Sequence, residues 1–497
     1  MLRIGDKDAV RIAGAVLAGV VGGRSVHGIP SERVFKAVHP GFLAAGLTAS
    51  AGTLLTAART EGGDSMTPFD ERYGRILDLA GSIQAHREKF IGRAVKDIQF
   101  TYRDTALEVD TSVHRLKMYS EARPLLEGRR PLGGRGSTVA LMLSYNGSAW
   151  LNTAITSLYM VGNKVNVKFS SKGSSLSRLT ESIYRPIFGD EIRFSRESGK
   201  KFLDEALKDR DVSAVVVFGS DVNFLAYEPA FREAGKKMVF EGAGQDPFIV
   251  FPDADLDLAL SDLVEAKFMY SGQTCTAPKR IFIHRSIYGE FLERFVERAA
   301  KLAVGSPEDP RTDISPVASR LAVSRIREQL KEAVAMGAKV VYGGKIEGNL
   351  IHPTVVRDAT DVMSGMREEV FGPVAFTTPF DTKEEVVRRA KDHKYGLRAA
   401  LFGGQEAEEA AGELAGEPYC HPVPAYTFGK FGTVALNRTR TESWKGAFVV
   451  KAVGGYGYSG WIWETVDGRF RIKQGPKLLS IETSASETGR GGDGFDR

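Results

Sequence analysis

The sequence predicts an α/β protein that is built from parallel sheets and contains more than one hydrophobic core. From about residue 138 onwards, short apolar runs alternate with helix-like segments, a pattern typical of parallel strands joined by crossover helices. The chain has 497 residues, which exceeds what one hydrophobic core usually serves. Its 42% hydrophobic and 26% charged residues are typical of a soluble globular protein.

Residues 1–70 are predicted to form an N-terminal helical region. Helices are expected at 12–21 and 35–58, with glycine- or proline-containing turns after each. The apolar stretch 10–21 is too short to cross a membrane, because a span needs about 20 apolar residues. Residues 70–122 predict long amphipathic helices, one of them over 72–100.

The first alternation of strands and helices covers residues 138–240. Strands are predicted at 138–143, 165–168, 214–218 and 238–240, and helices at 150–160, 176–187 and 224–234. This architecture is a nucleotide-binding type, although the pattern does not name the ligand. The usual Gly-x-Gly-x-x-Gly fingerprint does not follow the first strand, so a dinucleotide site cannot rest on that motif.

A second alternation begins near residue 248 and predicts another α/β domain of about 200 residues. Its strands are predicted at 248–251, 281–284, 339–342, 373–377, 398–402 and 433–436, and its helices at 256–270, 287–303, 317–336 and 383–391. Residues 477–481 predict a final strand. The tail 484–497 is rich in Gly, Ser and Asp and is expected to be disordered.

Charge and cysteine usage narrow the class of protein further. A formal net charge of +5 without a long basic block gives no reason to expect a nucleic-acid partner. The chain has two cysteines, Cys275 and Cys420, which favour a reducing compartment over a disulfide framework. Neither lies in a zinc-binding spacing, so no metal site is expected. We therefore expect a cytoplasmic protein with no membrane partner.

Two residues at or beyond the ends of predicted secondary-structure elements are candidate catalytic residues. Cys275 lies in a loop after a predicted helix, where Gly272 allows close approach of a ligand, and a thiolate there can attack a carbonyl carbon. Glu241 ends a short strand before a glycine-rich turn and could act as a general base. The alternatives are a buried structural cysteine and an ordinary solvated glutamate.

Four ordered motifs carry a family resemblance. They are Glu241-Gly-Ala-Gly-Gln-Asp-Pro247, Gly272-Gln-Thr-Cys275, Glu368-Glu-Val-Phe-Gly-Pro373 and Gly454-Gly-Tyr-Gly-Tyr-Ser-Gly460. Together they resemble the signatures of the NAD(P)-dependent aldehyde dehydrogenases, and the resemblance covers roughly residues 90–483. It implies an aldehyde dehydrogenase-like fold with a parallel-sheet cofactor-binding domain, an α/β catalytic domain and a small β oligomerisation arm.

The resemblance also implies domain boundaries and an oligomer. The cofactor-binding domain would comprise 71–126 and 137–242, and the catalytic domain 243–470. The oligomerisation arm would comprise 127–136 and 471–483. A homodimer or homotetramer is expected.

The resemblance implies roles for four catalytic residues. Cys275 would be the nucleophile, Glu241 the base and Asn146 an oxyanion donor, while Glu464 would relay protons. The residues around Asn146 depart from the family pattern, and an Asx-turn is the alternative for that residue. Trp461 and Trp463, which also depart from it, are expected to line the substrate entrance and to favour apolar or aromatic aldehydes.

Six further residues are implied to contact NAD or NADP. Lys168 resembles the lysine that meets the ribose hydroxyls, and Ser171 stands where NAD-preferring relatives carry a glutamate. Because a serine does not repel a 2′-phosphate, NADP is expected to be accepted. The remaining four are Gly219, Ser220, Glu369 and Phe371. The alternatives are exposed loop residues near Lys168 and a turn around a buried Phe371.

The sequence thus predicts an oxidoreductase that converts a small-molecule aldehyde to a carboxylic acid through a cysteine thiohemiacetal and thioester. One alternative is a coenzyme A-acylating aldehyde dehydrogenase, which would release the thioester to a thiol. The other is a non-catalytic scaffold. Cys420 is a rival nucleophile because His421 adjoins it, but adjacent side chains seldom face each other, and we interpret it as structural.

Overall fold

The computed structural model describes residues 68–134, 136–146, 151–415, 419–420, 427–428, 431–439, 452–453, 455–474 and 477–478. The predicted N-terminal helices within 1–67 and the predicted tail 484–497 lie outside these residues, as does the side chain of Cys420. Within the described ranges, no helix is long and apolar enough to cross a membrane. The same ranges contain no group of three or more His, Cys, Asp or Glu placed to hold a metal ion.

Fifteen α-helices are assigned in the described part of the chain. They are α1 Pro68–Ala85, α2 Arg87–Ile98, α3 Tyr102–Lys117, α4 Arg123–Leu126, α5 Leu151–Met160, α6 Ser174–Phe188, α7 Gly199–Lys208, α8 Asp221–Leu225, α9 Glu228–Ala234, α10 Leu256–Phe268, α11 Tyr288–Ala299, α12 Arg320–Ala335, α13 Ser364–Arg367, α14 Lys383–Lys391 and α15 Gln405–Ala415.

The strands of the described residues fall into two large sheets and several two-stranded ribbons. They are β1 Thr138–Met142, β2 Lys164–Lys168, β3 Ile192–Phe194, β4 Val212–Phe218, β5 Lys237–Glu241, β6 Asp246–Val250, β7 Pro278–His284, β8 Lys339–Tyr342, β9 Ile346–Glu347, β10 Leu350–Ile351, β11 Thr354–Arg357, β12 Val374–Phe380, β13 Tyr395–Gly396, β14 Arg398–Phe402, β15 Tyr419–Cys420, β16 Thr427–Phe428, β17 Thr433–Leu436, β18 Ala452–Val453, β19 Tyr456–Gly457, β20 Gly460–Val466, β21 Arg469–Lys473 and β22 Lys477–Leu478.

The first large sheet has the strand order β21-β20-β5-β4-β1-β2-β3. Strands β1 to β5 pair in parallel, whereas β20 runs antiparallel to both β5 and β21. The second large sheet has the order β17-β14-β6-β7-β12-β11-β8, and only its edge strand β8 pairs antiparallel. Both sheets therefore align most of their carboxyl ends at one edge, where ligands bind in α/β proteins.

Each large sheet is covered by side chains on both faces. Alternate residues of β4, such as Val215 and Val216, enter different hydrophobic clusters. Strands buried on both faces need continuous apolar runs, which explains why β4 was readable as Val-Val-Val-Phe in the sequence. In the second sheet, Phe248 and Ile249 of β6 likewise face opposite clusters.

The hairpin β20–β21 is the main departure from the predicted elements. Its turn residues Asp467 and Gly468 have φ angles of 51° and 75°, as a tight two-residue hairpin turn requires. The predicted domain boundary at residue 470 falls inside β21, and the hairpin extends the first sheet. Trp461 and Trp463 are only 3% and 2% exposed and pack against Phe240 and Phe231 respectively, so the expectation that they line an entrance was wrong.

The predicted helices differ from the observed ones mainly where a single predicted helix is divided into two. The single helix predicted over 72–100 is divided at His86 into α1 and α2. The helix predicted over 224–234 is likewise divided, because Pro229 occupies the first turn of α9. Strands β3 and β11 and helices α7 and α15 had not been predicted.

Candidate active site

A cavity of about 210 Å³ opens at the carboxyl edge of the first sheet. Three of the four predicted catalytic residues line it, namely Asn146, Glu241 and Cys275. Four of the six predicted cofactor-binding residues line it as well. The full lining is Ser144, Tyr145, Asn146, Phe218, Gly219, Ser220, Glu241, Gly242, Ala243, Cys275, Ser319, Leu321, Ala322, Arg325, Glu369 and Phe371.

The segment 269–277, called the Cys275 loop below, begins with an unusual backbone. Tyr270, Ser271 and Gly272 have φ angles of 52°, 54° and 72°, a left-handed conformation that L side chains rarely adopt. At Gly272 a Cβ atom would lie 2.2 Å from the carbonyl oxygen of Gly372, so only glycine fits there. The sequence analysis expected a ligand to approach Gly272 closely, whereas the group that approaches it in the structure is the backbone of the third motif.

Buried polar groups hold this strained backbone in place. The Asp104 carboxylate accepts a hydrogen bond of 2.8 Å from the Tyr270 N–H. The Ser271 hydroxyl oxygen accepts one of 2.9 Å from the Ser315 N–H. Burial raises the pKa of Asp104 from 3.8 to about 6, and the Tyr270 N–H partly offsets this rise. The loop therefore depends on groups far away in sequence.

Gln273 and Tyr145 connect the Cys275 loop to the opposite wall of the cavity. The Gln273 side-chain oxygen accepts hydrogen bonds from the Ala318 N–H at 3.0 Å and from the Tyr145 hydroxyl at 3.4 Å. Its amide donates to the Tyr270 carbonyl at 3.0 Å. Burial raises the pKa of Tyr145, and the nearby Glu369 carboxylate raises it further, so its hydroxyl stays protonated at neutral pH.

Glu241 is the last residue of β5 and is 6% exposed. The glycine-rich turn after it passes through a narrow gap. A Cβ at Gly242 would lie 2.7 Å from the Tyr458 carbonyl oxygen, and one at Gly244 would lie 2.5 Å from the Cys275 carbonyl oxygen. The turn thus packs directly against both the Cys275 loop and the fourth motif.

Asn146 reaches the cavity from the loop after β1. Its side-chain oxygen accepts a hydrogen bond of 2.6 Å from the Ser144 hydroxyl. Because that oxygen already has a partner, the amide NH₂ group is the donor that the side chain can offer to a ligand. The predicted role of oxyanion donor would use this NH₂ group and stays a prediction.

Glu369 and Phe371 bring the third motif to the cavity. The Glu369 carboxylate accepts a hydrogen bond of 3.3 Å from the Gly244 N–H and lies 3.5 Å from the Lys279 ammonium. Burial raises the pKa of Glu369, and the Lys279 charge acts in the opposite direction. The Phe371 ring meets Tyr145 edge-on at 6.2 Å between centroids.

Gly219 and Ser220 follow β4 directly at the sheet edge. The Gly219 N–H donates to the Glu241 carbonyl at 3.0 Å, which ties the ends of neighbouring strands together. A Cβ at Gly219 would lie 2.7 Å from the Phe224 ring, so a side chain here would displace that ring.

Lys168 and Ser171 are not part of the cavity wall. Lys168 ends β2, is 7% exposed and donates to the neighbouring Phe169 carbonyl, and its pKa is lowered by burial. Ser171 is exposed in the turn that follows. The adjacent Lys172 donates to the Ala318 carbonyl at 2.9 Å and lies 5.7 Å above the ring of Tyr145, so this turn contacts a residue of the cavity wall.

Glu464 is placed away from the cavity. It lies on the face of β20 that carries Gly460, opposite Glu241, but it is four residues further along, or roughly 13 Å. Its carboxylate forms ion pairs with Lys237 at 3.4 Å and with Lys473 at 2.5 Å. Burial would raise the pKa of Glu464, but its hydrogen bond to Lys473 and the Lys237 charge outweigh burial and lower it. The predicted proton relay therefore does not reach the site in this structure.

Several cavity residues were not predicted from the sequence. Tyr145 could have been suspected because it adjoins Asn146. Ser319, Leu321, Ala322 and Arg325 belong to the start of α12, whose sequence shows only an ordinary amphipathic pattern. Arg325 supplies the guanidinium of the cavity wall, and no local signal in the sequence distinguishes it from surface arginines.

Comparison with known proteins decides the family. The sequence model of the aldehyde dehydrogenase family matches residues 49–461, which is most of the chain. The chain belongs to the aldehyde dehydrogenase family. A similar curated protein is the succinate semialdehyde dehydrogenase [NAD(P)+] Sad of Escherichia coli strain K12, with 28% identity over 361 residues, 69% of this chain and 77% of that protein.

Other relatives match over a shorter length. The chain is 42% identical to human retinal dehydrogenase 2 over 186 residues, which is 37% of this chain and 36% of the relative. In this match and in those to bovine 2-aminomuconic semialdehyde dehydrogenase and a probable succinate-semialdehyde dehydrogenase of Sinorhizobium fredii, the chain spans only about a third of the relative's length. The predicted enzyme class, an NAD(P)-dependent aldehyde dehydrogenase, is confirmed by the family match and by these relatives.

Solved structures confirm the predicted fold. A succinic semialdehyde dehydrogenase from Streptococcus pyogenes in complex with NADP+ superposes with a TM-score of 0.70 at 22% identity, covering 86% of this chain and 93% of that one. A salicylaldehyde dehydrogenase from Pseudomonas putida G7 gives the same TM-score and identity, covering 83% and 84%. At such identities the likeness shows the fold alone.

Proposed function

We propose that this family member oxidises an aldehyde to a carboxylic acid and that Cys275 carries the acyl group during the reaction. The observation that supports this most strongly is the shared cavity of Cys275, Glu241 and Asn146. A nucleophile, a base and an oxyanion donor at one cavity are the set that acyl transfer through a thioester needs. The small-molecule partner is an aldehyde, as for the family.

The residues of the cavity also fit a dinucleotide. Ser220 and the Arg325 guanidinium offer hydrogen-bond donors to phosphate oxygens, and the Glu369 carboxylate offers acceptors to ribose hydroxyls. The Phe371 ring supplies a flat apolar surface beside them. Bound NAD(P)+ would supply the hydride acceptor, and the remaining chemistry belongs to the side chains.

The proposed reaction begins with attack of the Cys275 thiolate on the aldehyde carbon. The new C–S bond gives a thiohemiacetal, whose oxyanion accepts hydrogen bonds from the Asn146 amide and the Cys275 N–H. Loss of the carbon-bound hydrogen as hydride leaves a thioester. Glu241 then takes a proton from water, whose oxygen attacks the thioester, and the carboxylic acid leaves as the C–S bond breaks.

We further propose that NADP is accepted as well as NAD. Ser171 cannot repel a 2′-phosphate, and it lies between two lysines, Lys168 at the end of β2 and Lys172 in the turn that follows. The expected result is measurable turnover with both cofactors in a panel of aldehydes. Turnover with NAD alone across that panel would contradict this proposal.

The wider organisation of the molecule is proposed from the resemblance. Residues 71–126 and 137–242 would hold the cofactor, and residues 243–470 would supply the catalytic domain, with the hairpin β20–β21 joined to the first sheet. An arm from 127–136 and 471–483 would form a homodimer or homotetramer. We propose a cytoplasmic location, which fits the usage of only two cysteines.

The direct test of the proposed nucleophile is Cys275→Ala. We expect this variant to lose dehydrogenase turnover while its NAD(P) affinity by calorimetry stays within about threefold, because the thiol is not a predicted cofactor contact. Substantial turnover by Cys275→Ala would remove the assignment. Adding coenzyme A to the wild-type assay distinguishes hydrolysis from acyl transfer, and we expect no acyl-coenzyme A product, since Glu241 lies in the cavity.

A further inference from the structure

Lys279, the second residue of β7, is completely buried beneath the Cys275 loop. Its ammonium donates hydrogen bonds to the Thr274 carbonyl at 3.1 Å and to the Cys275 carbonyl at 2.6 Å. It also lies 3.5 Å from the Glu369 carboxylate. One buried cation therefore contacts both the Cys275 loop and the third motif.

The two carbonyl contacts fix the backbone on both sides of the Cys275 α-carbon. The Thr274 carbonyl and the Cys275 N–H belong to one planar trans peptide, so they point in opposite directions. Holding the Thr274 carbonyl on the ammonium therefore directs the Cys275 N–H away from Lys279. The Cys275 carbonyl has little room to move, since a Cβ atom at Gly244 would lie 2.5 Å from its oxygen.

The surroundings of Lys279 explain how a charge is tolerated there. Burying an unpaired ammonium is costly, but this one meets two carbonyl oxygens and one carboxylate. The same carboxylate accepts from the Gly244 N–H. Lys279, Glu369 and Gly244 thus form one cluster. It connects the motif that begins with Glu241, the Cys275 loop and the third motif.

We propose that Lys279 is a positioning residue that orients the Cys275 N–H as an oxyanion donor and holds a positive charge on the carbonyl of the same residue that carries the thiol. This inference rests on the proposed role of Cys275. A cation close to a thiol favours its thiolate form, so Lys279 increases the nucleophilicity of Cys275 at neutral pH. Lys279 itself does not contact the reacting atoms.

The test compares alkylation of Cys275 by iodoacetamide, mapped by mass spectrometry, in wild type and Lys279→Met between pH 6 and 9. We expect the pH of half-maximal rate to rise by roughly one unit in the variant, as for loss of a nearby opposite charge. At pH 7 this corresponds to an alkylation rate lower by about tenfold. Turnover should fall about 10²-fold, as for removal of one oxyanion donor.

Two further variants separate positioning from a merely structural role. Lys279→Met/Glu369→Gln removes both charges, so it should recover melting temperature relative to Lys279→Met while its alkylation stays slow. Lys267→Met removes another fully buried ammonium, one in α10 outside the Cys275 loop, and should keep the wild-type alkylation profile. Each variant is measured only where a cooperative thermal transition shows that it is folded.

An unchanged alkylation profile in folded Lys279→Met would overturn the inference, as would an equal shift in Lys267→Met. Alkylation does not require aldehyde oxidation. A shifted profile in a protein whose wild type has no turnover would therefore contradict the proposed function and leave the Lys279–Cys275 interaction standing.

Discussion

Glu241 and Glu464 lie on the same face of adjacent strands, yet only Glu241 reaches the cavity. Glu241 is the last residue of β5, at the carboxyl edge of the first sheet. Glu464 pairs with Lys237, which begins β5 at the opposite edge. Glu241 is followed by a glycine-rich turn against the Cys275 loop, whereas Glu464 is held by two lysines. The position along a strand therefore decides between a site residue and a structural ion pair.

The largest expected contrast is between Glu241→Gln and Glu464→Gln. Steady-state turnover should fall by about 10²–10⁴-fold in Glu241→Gln, because a general base is lost. It should change by no more than about threefold in Glu464→Gln. A loss in Glu464→Gln as large as that in Glu241→Gln would show that the hairpin approaches the site during turnover.

The ion pairs of Glu464 also predict an effect on the stability of the protein. The pKa of Glu464 is lowered in the folded protein. Its ion pairs therefore stabilise the fold at pH values above 4.5, the ordinary pKa of a glutamate. This stabilisation is lost as the pH falls through the lowered pKa. Denaturant unfolding should show Glu464→Gln less stable than wild type at pH 7. The difference should shrink at acidic pH, and a difference independent of pH would argue against the pairs.

The hairpin tryptophans provide a second way to test this comparison. Trp463 is fully enclosed by Phe231, Phe470 and the neighbouring ring of Trp461. Trp463→Ala should therefore lower the free energy of unfolding by about 3–5 kcal/mol. The ranking of aldehydes by turnover in the folded variant should match wild type. A selective loss of aromatic aldehydes would restore the idea of an aromatic entrance.

Variants of Asn146 and Ser144 test which side chain donates a hydrogen bond to the oxyanion. Asn146→Ala removes the proposed donor, and turnover should fall about 10²–10³-fold. Ser144→Ala keeps the amide but removes the hydrogen bond that orients it, so its effect should be smaller. Stopped-flow measurement of reduced cofactor in a single turnover is the appropriate readout. If Ser144→Ala had the larger effect, Ser144 rather than Asn146 would be the group that meets the oxyanion.

The last prediction concerns the buried acid under the Cys275 loop, which affects stability and not catalysis. Because the pKa of Asp104 rises from 3.8 to about 6 on folding, its contribution to stability is lost as the pH rises through that window. The expected loss is roughly 3 kcal/mol, at 1.36 kcal/mol per unit.

The variant Asp104→Asn should remove this dependence, since an amide oxygen can still accept from the Tyr270 N–H. Its free energy of unfolding should match or exceed that of wild type at pH 7.5, and its advantage should shrink towards pH 4. Asp104→Ala, which removes the acceptor, is the control that should destabilise the protein at both pH values. If wild type and Asp104→Asn had the same pH dependence of stability, the claim that Asp104 has a raised pKa in the folded protein would be contradicted.

The parallel strands could be predicted from the sequence because their burial on both faces requires continuous apolar runs. The strands β8, β14 and β17 and the helix α14 have the predicted bounds. The hairpin β20–β21 was missed although Asp467-Gly468 between alternating apolar residues is a strong turn signal. Glu464 follows the fourth motif in the sequence, and the resemblance of that motif implied a site residue where the structure has a strand.

The candidate site was predictable where its residues follow strand ends. Gly219 comes directly after β4, Glu241 ends β5, and Asn146 lies in the loop after β1, and these strand ends meet at one edge. Arg325 could not be found this way, because tertiary packing brings α12 to the site, and Lys279 could not because it lies at the start of a strand and not at its end. Nothing in the local sequence shows that Lys279 is buried against two carbonyls.

The most direct test of the central claim is the pre-steady-state time course of Glu241→Gln. If Cys275 holds the acyl group and Glu241 activates water, this variant should release a burst of reduced cofactor equivalent to about one per active site. Slow turnover should follow, and mass spectrometry should find the acyl group on Cys275. A wild-type steady-state rate without a burst, or an acyl group on another residue, would contradict the account.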